Sequence, residues 1–341
     1  MAEYTSRKEV KGRTILADVV PLNTPYVFGI FLGDICNFRC KYCIQSMRGQ
    51  VMKDKEGNTI NHELIEKFLS WDDFLLIADQ LQKFPKKIKK ILFSSMGEPL
   101  LHKRLADMIA YLHDRDVAKS YEIISNASML TPELSKRLID AGLSRFCVSI
   151  QGVNKQKYKE ICGYDIDFDK LLQNLSFFYK YSRGKCKVHI KTVDAALDVG
   201  DKDRFFEIFS PMCDTIYIDH VIEAFEGVGI TSLKTSDKQQ IYEMEQQHID
   251  VCSALFYTLY VLANGEIVPC CKTPYPMHYG NIHHRTLCEA WNSRERYNFL
   301  MLHLKKKRNE HRVCRNCVAP QATEFKEDLL DEAAEEIMNR L

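Results

Sequence analysis

The sequence predicts an α/β fold: a parallel, barrel-like sheet of six strands with helices between them, then a smaller unit built on a β-hairpin. Three observations carry this. Six short, largely apolar runs recur between residues 27 and 221, as strands buried on both faces require. Capped helical patterns separate them, and strand–helix alternation is the pattern of a parallel sheet. After about Val221 the alternation stops, and Asn264-Gly265 marks a tight hairpin further on.

Residues 1–26 read as a short leader, made extended by Pro21 and Pro25 and packed against the domain edge. The barrel unit is 27–221, with strands expected at 27–33, 89–95, 119–125, 145–151, 186–193 and 215–221. Ser70 followed by Asp73 resembles a capping box opening a helix at 71–83. Thr131-Pro132 starts another, which Gly142 ends. Asp167 caps a third, whose Leu171, Leu175 and Phe178 repeat at i, i+4, i+7. Residues 222–250 are polar and irregular, a connecting segment with one helical stretch near Lys238 to Gln247. The second unit spans 251–320, its hairpin running from Leu255–Leu262 to Glu266–Val268, and 321–341 is an acidic helical tail.

A chain of 341 residues exceeds one ordinary core, which agrees with two units. With 45% hydrophobic and 27% charged residues it is a folded, globular chain. A formal charge of +1 argues against a large basic face for nucleic acid or an anionic membrane. Met1 to Lys11 lacks the apolar core of a signal peptide, and no apolar run reaches the length of a bilayer span. The expected location is therefore the cytoplasm. Thiols stay reduced there, so 13 cysteines, several at short spacings, point to metal or cluster ligation and not to disulfides.

Cys36, Cys40 and Cys43 fall in C-x3-C-x2-C spacing just after the first strand. Three thiolates are one short of a closed four-ligand site, which leaves a coordination position open for chemistry; the bland alternative is zinc with a distant fourth ligand. Further polar segments stand at strand exits, where the working residues of parallel barrels lie. They are Ser95-Met96-Gly97-Glu98-Pro99, Ser125-Asn126-Ala127 and Ser149-Ile150-Gln151-Gly152. Each is also readable as an ordinary turn. Cys252, Cys270, Cys314 and Cys317 form a second set, enough to close one cluster or one structural zinc, and spacing does not decide between them.

The triad, with Tyr42 before Cys43 and Gly97-Glu98-Pro99 some fifty residues on, resembles the radical SAM superfamily. The resemblance implies a partial (β/α)6 barrel with a 4Fe-4S cluster on Cys36, Cys40 and Cys43 and S-adenosylmethionine on the fourth iron. It places Tyr42 against the adenine and Glu98 on the ammonium group, with Gly97 allowing close backbone approach. Ser125, Asn126, Ser149 and Gln151 then border ribose, carboxylate and substrate, and Lys191 pairs with the methionine carboxylate. Met96 stands where the family has its first glycine. The second cysteine set, with Gly280-Asn281-Ile282, Leu287 and Trp291, resembles the SPASM/twitch domains, especially the short twitch form with one auxiliary 4Fe-4S cluster. Its spacing is similar to that of radical SAM dehydrogenases of aminocyclitol antibiotic biosynthesis. The whole resemblance covers about 27–320.

For function, the resemblance implies reductive cleavage of S-adenosylmethionine to a 5′-deoxyadenosyl radical that takes hydrogen from substrate. The expected substrate is a sugar, cyclitol or other small polyhydroxylated molecule, undergoing dehydrogenation, epimerisation or dehydration. Residues before Val27 are too few for a peptide-binding module, which favours that reading over peptide or protein side-chain maturation; a non-catalytic iron–sulfur or zinc scaffold is the third. An electron donor such as flavodoxin or ferredoxin is implied. Asp194, Asp219, His220 and Glu223, near exits of the fifth and sixth strands, are candidate bases, and Cys162 and Cys271 candidate hydrogen donors. Cys147, Cys186, Cys213 and Cys288 read as small buried hydrophobes. Lys305 to Arg308 reads as a solvated helix face, and His278, His283, His284 and His311 as surface residues.

Overall fold

The computed structural model describes residues 3–4, 12–54, 57–94, 96–229, 249–323 and 325–341. Ser95 and the helical stretch expected near Lys238 to Gln247 lie outside the described residues.

All six expected strands are present: β1 Val27–Ile30, β2 Lys90–Phe93, β3 Tyr121–Ser125, β4 Arg145–Ser149, β5 Lys187–Val193 and β6 Thr215–Asp219. They pair in parallel in chain order. β1 and β4 end before the expected boundaries, because the residues after them turn out of the sheet to build loops at its carboxyl end. Between the strands run α1 Trp71–Leu81, α2 Leu105–Asp114, α3 Pro132–Asp140, α4 Lys155–Cys162, α5 Phe168–Ser182 and α6 Asp201–Phe209. The caps are those the sequence predicts. Ser70 accepts from the Asp73 amide at 3.0 Å, Thr131 from Leu134 at 3.1 Å and Asp167 from Lys170 at 3.0 Å.

Strand alternation divides the sheet into two unlike faces. Phe28, Ile30, Ile91, Phe93, Ile123, Phe146, Val148, Val188 and Ile190 point outward and join helix residues such as Phe74, Ile77, Leu138 and Phe178 in one core. The opposite, luminal face is mixed, with Leu92, Ile124, Cys147 and Tyr217 among charged residues. Lys90 reaches Glu122 at 3.2 Å, Arg145 reaches it at 3.8 Å, and Lys191 meets Asp219 at 3.1 Å. Ile124, between the outward Ile123 and Ser125, is 37% exposed on that face. The barrel thus has an apolar jacket and a mixed inner face.

The second unit extends the same sheet. β7 Thr258–Val261 adds in parallel to β1, and β8 Ile267–Val268 returns antiparallel to β7 around Asn264-Gly265. A Cβ on Gly29 would fall 1.9 Å from the Tyr260 ring, so glycine in β1 is what lets that ring cross it. The hairpin's first arm is shorter than expected, because Ala254–Tyr257 is helical. The Gly280-Asn281-Ile282 segment closes on the hairpin through Ile282 N to Gly265 O at 2.9 Å. Gln80 of α1 stitches this unit to the barrel, donating to Ile282 O at 3.0 Å and accepting from Leu287 N at 2.9 Å.

Of the segment before β1, Glu3–Tyr4 pairs in parallel with β6 at the barrel edge, whereas Leu16 and Val20 turn away from that edge. They enter a second core with Val251, Leu255, Phe299, Leu330 and Ile337. The acidic tail is helical over Ala334–Arg340, with a single tight turn at Lys326–Asp328 before it.

Candidate functional site

The cysteine loop leaves β1 and is tied to the neighbouring strand exits. Asp34 starts this: Oδ1 accepts from Met96 N at 3.1 Å and Oδ2 from Ile65 N at 2.7 Å. Gln45, buried after the last cysteine, donates to Asp34 O at 2.8 Å and Met96 O at 2.6 Å. Gly97 then packs backbone against backbone. A Cβ there would lie 2.5 Å from both Gly33 O and Ile35 O. Its glycine serves the approach of the 96–98 turn to the cysteine loop.

Glu98 is 3% exposed and is the knot beneath the loop. Oε1 accepts from Ser125 Oγ at 2.6 Å and Leu100 N at 2.9 Å, and Oε2 accepts from Asn126 N at 2.8 Å. Burial outweighs these bonds and pushes its carboxyl up to about 7. Asn126 donates to Asn37 Oδ1 at 3.0 Å, and Asn37 donates to Ser128 Oγ at 2.8 Å. The Tyr42 hydroxyl bonds Gln151 Oε1. Tyr42, Gly97, Glu98, Ser125, Asn126 and Gln151 are thus brought to one place, joined to each other and to the three cysteines' loop. Ser149 stands opposite Lys191 in the β4–β5 register.

Within the loop, Cys43 N donates to Cys40 O at 2.9 Å. Burial pushes the Cys36 thiol up to about 11 and raises that of Cys43. Such thiols are neutral without a metal and deprotonate on coordination. Cys162, a candidate hydrogen donor, is 1% exposed in the core. Its thiol bonds Tyr158 O at 2.8 Å and contacts the Cys40 thiol, while Arg39 N donates to its carbonyl at 2.9 Å. That geometry fits a support of the cysteine loop better than a donor to substrate.

At the exits of β5 and β6 two side-chain pairs form among the candidate residues, one of lysine with carboxylate and one of imidazole with carboxylate. Lys191 Nζ lies 3.1 Å from Asp219 Oδ2, so this lysine faces a carboxylate of its own protein. His220 Nδ1 lies 3.0 Å from Asp194 Oδ2, and Asp194 Oδ1 accepts from Val221 N at 3.0 Å.

In the second unit Cys252 and Cys314 share one core. Burial raises the Cys270 thiol, and Cys271, Cys317 and Cys314 beside it add to the effect. Burial also pushes Cys314 up to about 12. Cys271 is exposed, its thiol in contact with the Tyr260 hydroxyl. Three residues hold this set that sequence reasoning missed or placed on the surface. Arg308 is 7% exposed, and its Nη1 donates to Cys314 O and Cys317 O, both at 3.0 Å. His311 Nδ1 accepts from Cys314 N at 3.3 Å, and His303 Nδ1 from Cys252 N at 3.3 Å. Lys305 to Lys307 are exposed as expected, but Arg308 turns inward.

Two observations bear on what the thiols hold. A tetrahedral zinc site, with Zn–S about 2.3 Å, needs sulfurs roughly 3.8 Å apart. Among the described residues no three cysteine sulfurs lie within 4.8 Å of one another; the trio of ligand type that does is Glu63, Glu266 and His278. The second observation is the buried Arg308 guanidinium, which has no carboxylate partner among the described residues and so fits an anionic group at the four thiols.

A family model for the radical SAM superfamily matches residues 30–193, and one for an iron-sulfur cluster-binding domain, SPASM, matches 252–318. The chain belongs to the radical SAM superfamily. The fold agrees with solved members. BtrN, in complex with AdoMet and 2-DOIA, aligns at TM-score 0.52 and 18% identity over 89% of this chain and 97% of its own. Streptococcus suis SuiB bound to S-adenosylmethionine aligns at 0.59 and 14%, over 82% and 68% of the two chains. The protein anSMEcpe with bound AdoMet aligns at 0.59 and 14%, over 92% and 99%. Among curated relatives, a tungsten-containing aldehyde ferredoxin oxidoreductase cofactor-modifying protein of Pyrococcus furiosus is 34% identical over 108 residues, 32% of this chain and 26% of that protein. GTP 3′,8-cyclase of Clostridium perfringens is 25% identical over 221 residues, 64% of this chain and 62% of its own. The matched stretches thus span less than two thirds of these two relatives.

The two matched domains imply 4Fe-4S clusters, and S-adenosylmethionine is the co-substrate bound by the solved relatives. This radical SAM enzyme has no helix among its described residues that is long and apolar enough to cross a membrane.

Proposed function

We propose that the chain oxidises a small polyhydroxylated substrate, a sugar or cyclitol, by hydrogen abstraction from a carbon that bears a hydroxyl. Cys36, Cys40 and Cys43 hold the initiating cluster, and Cys252, Cys270, Cys314 and Cys317 the auxiliary one. When bound, the first supplies the electron that cleaves S-adenosylmethionine to the hydrogen-abstracting radical, and the second accepts the electron that the substrate radical gives up. In the balance, one hydrogen atom leaves the substrate carbon for the 5′ carbon, one proton leaves its hydroxyl for a base, one electron leaves for the auxiliary site, and a carbonyl remains.

The observation that carries this reading is the Asp194–His220 pair, 3.0 Å apart at the exits of β5 and β6. Parallel strands put these exits at the same end as the loop of Cys36. An imidazole oriented by a carboxylate is suited to take the hydroxyl proton. Lys191, partly exposed and paired with Asp219 at 3.1 Å, is a cationic donor on the inner face of the same two strands. The fold shared with BtrN, whose crystal holds 2-DOIA, supports the substrate class. A flavodoxin or ferredoxin is the electron source we expect.

The test is anaerobic turnover of the reconstituted full chain with dithionite and a panel of aminocyclitols and sugars deuterated at each carbinol carbon. Deuterium should appear in 5′-deoxyadenosine with one substrate, together with a ketone product. Deuterium transfer from a peptide and from none of the polyols would replace this reading with side-chain maturation. No 5′-deoxyadenosine at all from loaded, reduced protein would remove the catalytic reading.

A further inference from the structure

We infer that Arg308 is the positioning residue that sets the charge balance of the auxiliary site: it clamps the ligand-bearing turn and holds the reduction potential of the bound cluster up. The inference rests on the reading of Cys252, Cys270, Cys314 and Cys317 as cluster ligands.

A single guanidinium nitrogen bridges the carbonyls of Cys314 and Cys317, the two ends of the Cys314-Arg315-Asn316-Cys317 turn, at 3.0 Å each. Those two bonds fix the spacing of the ligands' backbone without touching either sulfur. Arg308 is also 7% exposed and, among the described residues, no carboxylate pairs with it. Two carbonyl dipoles do not neutralise a buried cation, which is costly to hold without an anion close by. Four thiolates around a 4Fe-4S cluster carry a net negative charge that grows by one on reduction. A fixed cation there stabilises the reduced form more than the oxidised one, which raises the potential.

Of the other cations nearby, Lys272 acts on the Cys271 thiol but is only half-buried and bonds Ala224 O, and Arg315 in the turn is exposed, so Arg308 is the buried one. His303 Nδ1 accepts from Cys252 N and His311 Nδ1 from Cys314 N, each at 3.3 Å, and a ring nitrogen that accepts carries no proton, so neither ring brings a positive charge there. Lys305, Lys306 and Lys307 are exposed, where water and salt screen them. An auxiliary site that must take an electron from a substrate radical needs the higher potential, and Arg308 supplies it without occupying a ligand position.

The experiment uses the full chain with Cys36, Cys40 and Cys43 all changed to Ala, so that auxiliary iron alone is observed. Iron is counted after anaerobic reconstitution, and the cluster is titrated against potential with EPR detection, for this parent and for Arg308→Lys and Arg308→Gln. Arg308→Lys should load and titrate near the parent. Arg308→Gln should load and titrate lower, by the equivalent of at least a tenfold change in the oxidised-to-reduced ratio, about 59 mV for one electron. Loss of iron in Arg308→Gln with retention in Arg308→Lys also supports a counter-ion. Equal potentials in Gln and parent overturn the inference, as does loss of iron from both variants, which makes the guanidinium a structural clamp alone. A parent that binds zinc or no metal sinks the cluster reading itself, a result distinct from either.

Discussion

Ser125 Oγ donates to Glu98 Oε1 at 2.6 Å, joining the exits of β2 and β3 beneath the cysteine loop. Even with this bond, burial keeps the Glu98 carboxyl up at about 7, against 4.5 for the ordinary group. The sign for stability comes from linkage. Below the ordinary value both folded and unfolded chains hold the proton. As pH rises the unfolded chain releases it first, so folding stability falls between about 4.5 and 7, by on the order of 3 kcal/mol in all. Glu98→Gln cannot ionise and should escape that decline. Urea midpoints of the full chain without S-adenosylmethionine, at pH 5.5 and 8, check this. The gap between variant and wild type should narrow as pH rises; a pH-independent gap would show that Glu98 is ionised throughout.

Gly97→Ala tests the backbone contact on which the loop is built. Its Cβ would meet two carbonyl oxygens at 2.5 Å, and backbone cannot swing aside as a side chain can. Displacing the loop should cost about 1–3 kcal/mol, the range for overpacking. Because Cys36 comes directly after Ile35, the variant should reconstitute with fewer irons at the triad while the SPASM set fills normally.

Iron counting separates the two sites. Wild-type chain should bind about eight irons, from two four-iron clusters. Cys36→Ala should abolish 5′-deoxyadenosine formation, and Cys314→Ala should lower iron by about half. Zinc at Cys252, Cys270, Cys314 and Cys317 would exclude the auxiliary cluster.

What the sequence revealed and what it hid divide along the range of the interactions. The six strands and their helices were legible because alternation, Ser70, Thr131 and Asp167 act within a few residues. The strand-exit motifs were legible because a parallel sheet puts all exits at one end. Asp34 was not, since its partners Ile65 and Met96 lie 31 and 62 positions away, and nothing local marks it beyond a polar residue after a strand. Arg308 was hidden by Lys305, Lys306 and Lys307 before it, which made one basic run of residues that face opposite ways. The helix ends at Leu304, and Lys306, left-handed at φ 56°, breaks the period and carries the arginine inward. The helix at Ala254–Tyr257 was likewise concealed, its apolar residues serving the second core as well as they would a strand.

The pairing of Asp194 with His220 yields the last prediction. If His220 is the base, its imidazole must be neutral and correctly oriented when the substrate binds, and Asp194 provides the orientation through Nδ1. His220→Gln removes the proton acceptor but no group beneath the cysteine loop. Hydrogen abstraction should therefore persist, read as 5′-deoxyadenosine formed with substrate deuterium, while ketone formation falls about 10²–10⁴-fold. Asp194→Asn should give a smaller loss, because the imidazole remains but is no longer held by a carboxylate. Ketone formation that falls in strict proportion to 5′-deoxyadenosine in both variants would place these residues in binding and not in proton removal. Asp219 would then be the carboxylate to examine, its Oδ2 held 3.1 Å from Lys191 on the same luminal face.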